Sequence, residues 1–167
     1  MRQIDTTPMR TDESARPTVV AWLGYGGLLP FVGLALVSWL EPNHRSWWFE
    51  MLLGYGAVIL SFVGALHWGF AMVHPATAGR PMNGMYAWSV MPSLLGCLAL
   101  LAHPTAGATL LIAGFLAQYW QDWRLTRVLP LPAWYLPLRL QLTVVACVCL
   151  SAVYLLKDSL PHGALSA

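Results

Sequence analysis

The chain has 167 residues, of which 57% are apolar and only 10% are Asp, Glu, Lys or Arg. A soluble domain carries roughly 45–50% apolar and about 25% charged residues, so this chain has too few charges to cover a soluble surface. A net charge of +2 supplies no basic patch, which excludes a nucleic-acid-binding module. Nine tryptophans add rings of the kind that collect at membrane interfaces. The composition predicts an integral membrane protein whose principal partner is the lipid bilayer.

Long uncharged segments predict five transmembrane helices, since a spanning helix needs roughly 20 mostly apolar residues. The uncharged segment 81–121 is too long for one helix. It divides at His103-Pro104, because proline disfavours helical geometry at the residue before it and has no amide donor. The proline-rich segment Leu129–Pro137 is predicted to form a linker without regular helix. The predicted fold is an all-α membrane bundle with spans at 18–40, 51–73, 85–102, 105–121 and 138–156.

The basic residues predict the orientation of this bundle, because cytoplasmic loops hold an excess of Lys and Arg. With five spans, one side of the membrane carries only Arg45 and Lys157. The N-terminus is therefore predicted to be cytoplasmic and the C-terminus external, with a disordered tail at 1–17 and a short external tail at 157–167. Acidic residues in the first tail are unlike a mitochondrial presequence, which favours a bacterial inner membrane over the mitochondrial inner membrane. The basic residues of the predicted cytoplasmic side are Arg2, Arg10, Arg16, Arg80, Arg124, Arg127 and Arg139.

Polar side chains within the spans are the candidates for a functional site, because an ionisable group near the bilayer centre costs roughly 3 kcal/mol and so faces protein or water. His67 and Gln118 each lie ~7 Å to the cytoplasmic side of the centre of their span, at a rise of about 1.5 Å per residue. Polar groups on the other spans fall at similar depths, so a polar layer is predicted in the cytoplasmic half. Its members are Tyr25, His67, Trp68, Trp88, Gln118, Asp122, Arg139 and Gln141, with Ser61 and Ser89 as weaker additions.

Three interpretations of this layer remain open at the level of sequence. In the first, the polar groups only satisfy one another. In the second, they bind a small apolar or amphipathic ligand, such as a quinone, haem or lipid, or a partner membrane subunit. In the third interpretation, His67 and Asp122 form a proton relay in a proton-coupled transporter or membrane enzyme. His67 and His74 on one helical face are the sole haem signal, and no metal site or catalytic residue is predicted. The cysteines lie within apolar runs, where a thiol behaves as a small hydrophobe, and they are Cys97, Cys147 and Cys149.

Four blocks of the sequence carry a resemblance to a known family. The blocks are Gly26–Phe31, Leu60–Gly69, Gln118–Asp122 and Pro132–Arg139. They resemble the multi-pass membrane family of unknown function that includes mitochondrial transmembrane protein sixty-nine and many proteobacterial proteins, and the likeness covers about residues 20–156. The Ser-Phe-x-Gly-Ala-x-His-Trp block is its most specific element. The resemblance implies a small multi-pass protein of an energy-transducing membrane, such as the respiratory membrane, and it implies no activity.

Overall fold

A computed structural model describes residues 18–73 and 80–158, which form helices and turns without a strand. The predicted tail 1–17 and residues 159–167 of the predicted external tail lie outside these described residues. This architecture confirms the all-α class. The elements are α1 (Thr18–Gly26), α2 (Leu29–Leu40), a 3-10 turn (Pro42–His44), α3 (Arg45–Val73), α4 (Arg80–Leu101), α5 (Pro104–Leu125) and α6 (Tyr135–Asp158).

Four stretches of the described residues are long and apolar enough to cross a membrane. They are Thr18–Leu40, Pro42–Val73, Gly84–Leu101 and Tyr135–Leu155. Helix α5, which the sequence predicts as a span over 105–121, is not among them. Its second half contains two glutamines and Asp122, which lower its mean hydropathy. The multi-pass membrane class is therefore confirmed, with four helical stretches long and apolar enough to cross a membrane.

The first predicted span, 18–40, consists of two helices rather than one. The helical pattern is interrupted at Gly27 and Leu28, because Pro30 in the first turn of α2 has no amide hydrogen to donate. The Gly27 carbonyl accepts a hydrogen bond from the Tyr55 hydroxyl of α3, with the oxygens 2.7 Å apart. A backbone carbonyl in a bilayer needs a partner inside the protein, and Tyr55 supplies it at the break.

Helix α3 is central and contacts α2, α4, α5 and α6. Its close approach to α4 requires glycine at position 64, where a Cβ atom would lie 2.6 Å from Cγ of Pro92. A Cβ atom on Gly114 of α5 would lie 2.7 Å from side-chain atoms of both Leu60 and Leu95. Small residues at such positions let membrane helices approach one another closely. These contacts set α3, α4 and α5 close enough for their polar side chains to meet.

The apolar core fills the half of the bundle that holds the first part of α3. The Phe31 ring of α2 makes edge-to-face contacts with Tyr55 and Phe115, with ring centroids 5.0 and 6.0 Å apart. Such aromatic pairs contribute about 0.5–1.5 kcal/mol beyond the area that they bury. A smaller apolar cluster of Ala71, Met85, Leu125 and Leu129 lies near the end of α3, where the buried polar residues also lie. The fully buried aliphatic side chains of the core include Leu52, Leu60, Leu111, Leu150 and Val153.

Helix α6 begins at Tyr135, three residues before the predicted start of the last span. The prediction that Leu129–Pro137 contains no regular helix is therefore wrong for its last three residues. Proline is tolerated in the first turn of a helix because the amides there have no intrahelical acceptor. The earlier start places Tyr135 one helical turn before Arg139, so the two side chains project from one face of α6.

Candidate functional site

A cluster of polar side chains from four helices lies where α3 and α5 end and α6 begins. Gln118 and Asp122 are four residues apart on α5 and so share one face, as Tyr135 and Arg139 do on α6. His67, Gln118 and Asp122 are 0% exposed, and Arg139 is 6% exposed. We define the polar cluster as His67, Trp88, Gln118, Asp122, Tyr135 and Arg139.

Gln118 fixes the tautomer of His67. Nε1 of Trp88 donates a hydrogen bond to Oε1 of Gln118 at 2.9 Å. An indole N–H can only donate, so the oxygen of the Gln118 amide faces Trp88 and its nitrogen faces His67. That nitrogen, Nε2, lies 3.0 Å from Nδ1 of His67 and donates to it. The proton of the neutral imidazole therefore lies on Nε2 of His67.

The Asp122 carboxylate is held by two donors from α6. Nε of Arg139 donates to Oδ2 at 2.7 Å, and the Tyr135 hydroxyl donates to Oδ1 at 3.2 Å. Nε2 of His67 lies 3.6 Å from Oδ1 and makes no hydrogen bond to any described residue. Since the charges of Asp122 and Arg139 balance, the cluster is electrically neutral when His67 is neutral. Full pairing of this kind is what makes a buried carboxylate tolerable.

The surroundings of His67 limit the chemistry that it can perform. A second proton would have to lie on Nδ1, where it would face the Gln118 amide and set two donors against each other. Both ring nitrogens face protein groups, so His67 does not fit the role of an axial haem ligand. His74 lies outside the described residues. Within the described residues, no three His, Cys, Asp or Glu side chains come together to hold a metal ion.

The remaining members of the predicted layer lie apart from the polar cluster. The Tyr25 hydroxyl donates to Oε1 of Gln141 at 2.7 Å and so joins α1 to α6. Trp68 is half exposed, and its ring packs edge-on against an aromatic ring of α4. The hydroxyls of Ser61 and Ser89 donate to carbonyls of their own helices. The structure thus divides the predicted layer into a buried cluster and a separate contact between α1 and α6.

Tyr135 is the cluster member that the sequence did not single out. The sequence places it in the proline-rich linker, because the last span is predicted to begin at residue 138. Its spacing from Arg139 matches that of Gln118 from Asp122, and this shared spacing of four is the signal that could have found it. An earlier helix start would have placed its hydroxyl on the face that carries Arg139.

A mostly apolar cavity of about 300 Å³ lies beside the polar cluster. Tyr135 and Arg139 belong to both, and Thr143 follows Arg139 on the cavity wall by one turn of α6. The wall residues Leu23 and Phe62 are 73% and 66% exposed, so the cavity reaches the lipid-facing surface. Much of the apolar wall is formed by Leu28, Ile59, Val63, Leu66, Leu138 and Leu142.

Two hydrogen-bond donors, Arg139 and Thr143, stand on the wall of this mostly apolar cavity. Thr143 is 4% exposed, and its hydroxyl makes no hydrogen bond within the described part of the chain. Arg139 donates from Nε to Asp122, and Arg139 also lines the cavity. Ligand sites pair mostly apolar walls with a few placed polar groups, so these two donors mark the place where a ligand atom would be hydrogen-bonded.

Residues 16–155 match the family described as protein of unknown function (DUF3429). The chain belongs to this family. It is 35% identical over 151 residues to transmembrane protein 69 of Xenopus tropicalis, an alignment that covers 89% of this chain and 58% of that protein. The chain thus spans less than two thirds of the length of this relative. No solved structure matches the chain. The family that the four sequence blocks indicated is confirmed, and its matched region includes the polar cluster and the cavity.

Proposed function

We propose that this protein binds a small apolar or amphipathic molecule from the bilayer in the cavity beside the polar cluster. In this proposal it is a ligand-binding or accessory protein of the respiratory membrane, in the inner membrane of a bacterium, without an assigned catalytic activity. The cavity carries the proposal. Small-molecule sites combine mostly apolar walls with a few placed polar groups, and here the polar groups are Arg139 and Thr143.

The proposal includes five spans. Helices α1 and α2 together form one of them, and α5 is added to the four stretches that are long and apolar enough to cross a membrane. Helix α5 is 22 residues long, about 33 Å at 1.5 Å per residue, and so matches the thickness of a bilayer core. It packs against α3, α4 and α6, and the side chains of Gln118 and Asp122 are fully buried. A polar face is tolerated in a membrane helix when neighbouring helices cover it.

The cytoplasmic placement of the N-terminus has support at both ends of the bundle. Arg124 and Arg127, at the end of α5, each stack on a tryptophan of that helix, as basic and aromatic groups do at a membrane interface. On the opposite side, Nε of Arg45 donates to the Ser38 carbonyl at 3.1 Å. Arg45 therefore helps to satisfy the end of α2, which gives this basic residue a local structural role.

Cysteine labelling tests the five-span orientation. In a variant without the native cysteines, Arg16→Cys is expected to react with an impermeant maleimide only from the cytoplasmic side. Lys157→Cys is expected to react only from the outside, because an odd number of spans separates the two positions. Labelling of both positions from one side would contradict five spans.

The alternative function is a proton-coupled transporter or membrane enzyme that uses His67 and Asp122 as a relay. The 3.6 Å separation of Nε2 and Oδ1 supports it. The Gln118 amide opposes it, because this donor faces Nδ1 and favours the singly protonated ring. Ligand binding therefore accounts for more of the geometry than proton transfer does.

Filling the cavity tests ligand binding. Leu142→Trp adds ring volume to the cavity wall and is expected to remove a lipid-soluble molecule that the wild-type protein retains through detergent purification. The measurement is mass spectrometry of an organic extract, normalised to protein. Leu140→Trp is the matched control, because Leu140 is exposed two residues away on α6 and does not line the cavity. Equal extracts from wild type and both variants would contradict the proposal.

A further inference from the structure

We infer that the ligand of this cavity is a neutral lipid-soluble carbonyl compound, of the quinone or ester class, whose carbonyl oxygen accepts hydrogen bonds from Arg139 and Thr143. This inference rests on the proposed function and gives its ligand a chemical class. The ligand's apolar body occupies the cavity, and its tail extends past Leu23 and Phe62 into the lipid.

The first argument is the hydrogen-bonding character of the wall. Arg139 and Thr143 are four residues apart on α6 and project from one face into one cavity. A guanidinium group donates and cannot accept, and the Thr143 hydroxyl can donate beside it. An oxygen with two lone pairs can accept from both groups, whereas a ligand that can only donate makes no hydrogen bond to Arg139.

The second argument is charge. The Arg139 guanidinium is already balanced by the Asp122 carboxylate, to which it donates at 2.7 Å. A carboxylate or phosphate ligand would bring an unbalanced negative charge into a cavity whose other walls are mostly apolar. An ammonium group would bring an unbalanced positive charge beside Arg139. A neutral carbonyl oxygen accepts from the donors on the cavity wall and leaves the charge of the site unchanged, so it avoids the cost of burying an unpaired ion.

Two probes that share one tail test the charge argument. Methyl oleate and sodium oleate differ in whether the carbonyl group is a neutral ester or an ionised acid at about pH 9. Equilibrium dialysis of the detergent-purified wild-type protein is expected to show methyl oleate bound at least about tenfold more tightly than oleate. Decylubiquinone, dialysed in parallel, distinguishes the quinone source from the ester source, and the tighter neutral probe identifies the class.

Two substitutions test the donors. Thr143→Val keeps the side-chain shape and removes the hydroxyl. It is expected to weaken binding of the tighter neutral probe about fivefold, the change in affinity that one neutral hydrogen bond supplies. Arg139→Lys keeps the charge beside Asp122 and removes the planar guanidinium fork, and the expected loss is about tenfold or more. Thr109→Val is the matched control, because the Thr109 hydroxyl is exposed and bonded to its own helix. The control is expected to bind as wild type does.

Oleate binding as tightly as methyl oleate, or unchanged affinity in Thr143→Val, would overturn this inference. A failure of this inference can be distinguished from a failure of the proposed function. If the extract of the wild-type protein holds a molecule that Leu142→Trp removes while neither neutral probe binds, the ligand class is wrong and the cavity is still a binding site. If the extract holds no such molecule, the proposed function itself fails.

Discussion

Replacing Asp122 with asparagine is expected to lower the free energy of unfolding by about 3–5 kcal/mol. The substitution leaves the buried charge of Arg139 without a counter-charge at the position where Oδ2 now accepts from Nε at 2.7 Å. Removing one partner of a buried ion pair costs more than the pair itself contributes, because the other charge remains away from water. Titration of the detergent-solubilised protein with denaturing detergent measures the change.

A double variant separates the ion pair from the hydrogen bonds around it. Asp122→Asn combined with Arg139→Gln removes both charges, and it is expected to be more stable than Asp122→Asn alone. Glu50→Gln is the matched control, since the exposed carboxylate of Glu50 is expected to contribute within about 0.5 kcal/mol. If the double variant loses as much free energy of unfolding as the two single variants together, the charges do not act as a pair.

Replacing His67 with leucine is expected to cost about 1–3 kcal/mol of stability, the second largest effect. Leucine is of similar size but accepts no hydrogen bond, so the Gln118 Nε2 group that now donates to Nδ1 at 3.0 Å loses its partner while buried. The Nε2 proton beside Asp122 is lost as well. The change in thermal unfolding temperature, measured with and without added methyl oleate, gives the magnitude.

Glutamine at position 67 is the control for this loss. His67→Gln still presents an acceptor and a donor, so it is expected to cost about 1 kcal/mol or less. It is also expected to keep the bound molecule, because His67 does not line the cavity. An amide does not take up a proton near neutral pH, so a proton relay would be abolished by the same substitution. A stable His67→Gln protein that keeps the bound molecule but loses its cellular function would favour the relay over the binding site.

Much of the fold follows from composition and from the placement of proline. The scarcity of charge predicted the membrane class, and the His103-Pro104 break is the point between α4 and α5. The break between α1 and α2 was missed, since apolar periodicity continues through it and Tyr55, the group that stabilises it, is distant in sequence. The start of α6 was also missed, because a proline in the first turn of a helix resembles one in a linker.

The candidate site was less predictable than the fold. The spacing of Gln118 and Asp122 indicated a shared face, and their depth matched that of His67; the structure has all three side chains in contact. The cavity could not be predicted, because five helices from distant parts of the sequence form its walls. The unpaired state of Thr143 likewise depends on tertiary packing, which no local pattern reports.

Photo-crosslinking in native membranes tests the central claim, a ligand in the cavity, most directly. A benzophenone-bearing amino acid in place of Phe62 sits on the cavity wall, and the same residue in place of Leu98 sits on an exposed face of α4. Mass spectrometry of the crosslinked protein is expected to show one discrete neutral molecule attached at position 62 and a mixture of bulk lipids at position 98. The same mixture of bulk lipids at both positions would contradict a specific ligand.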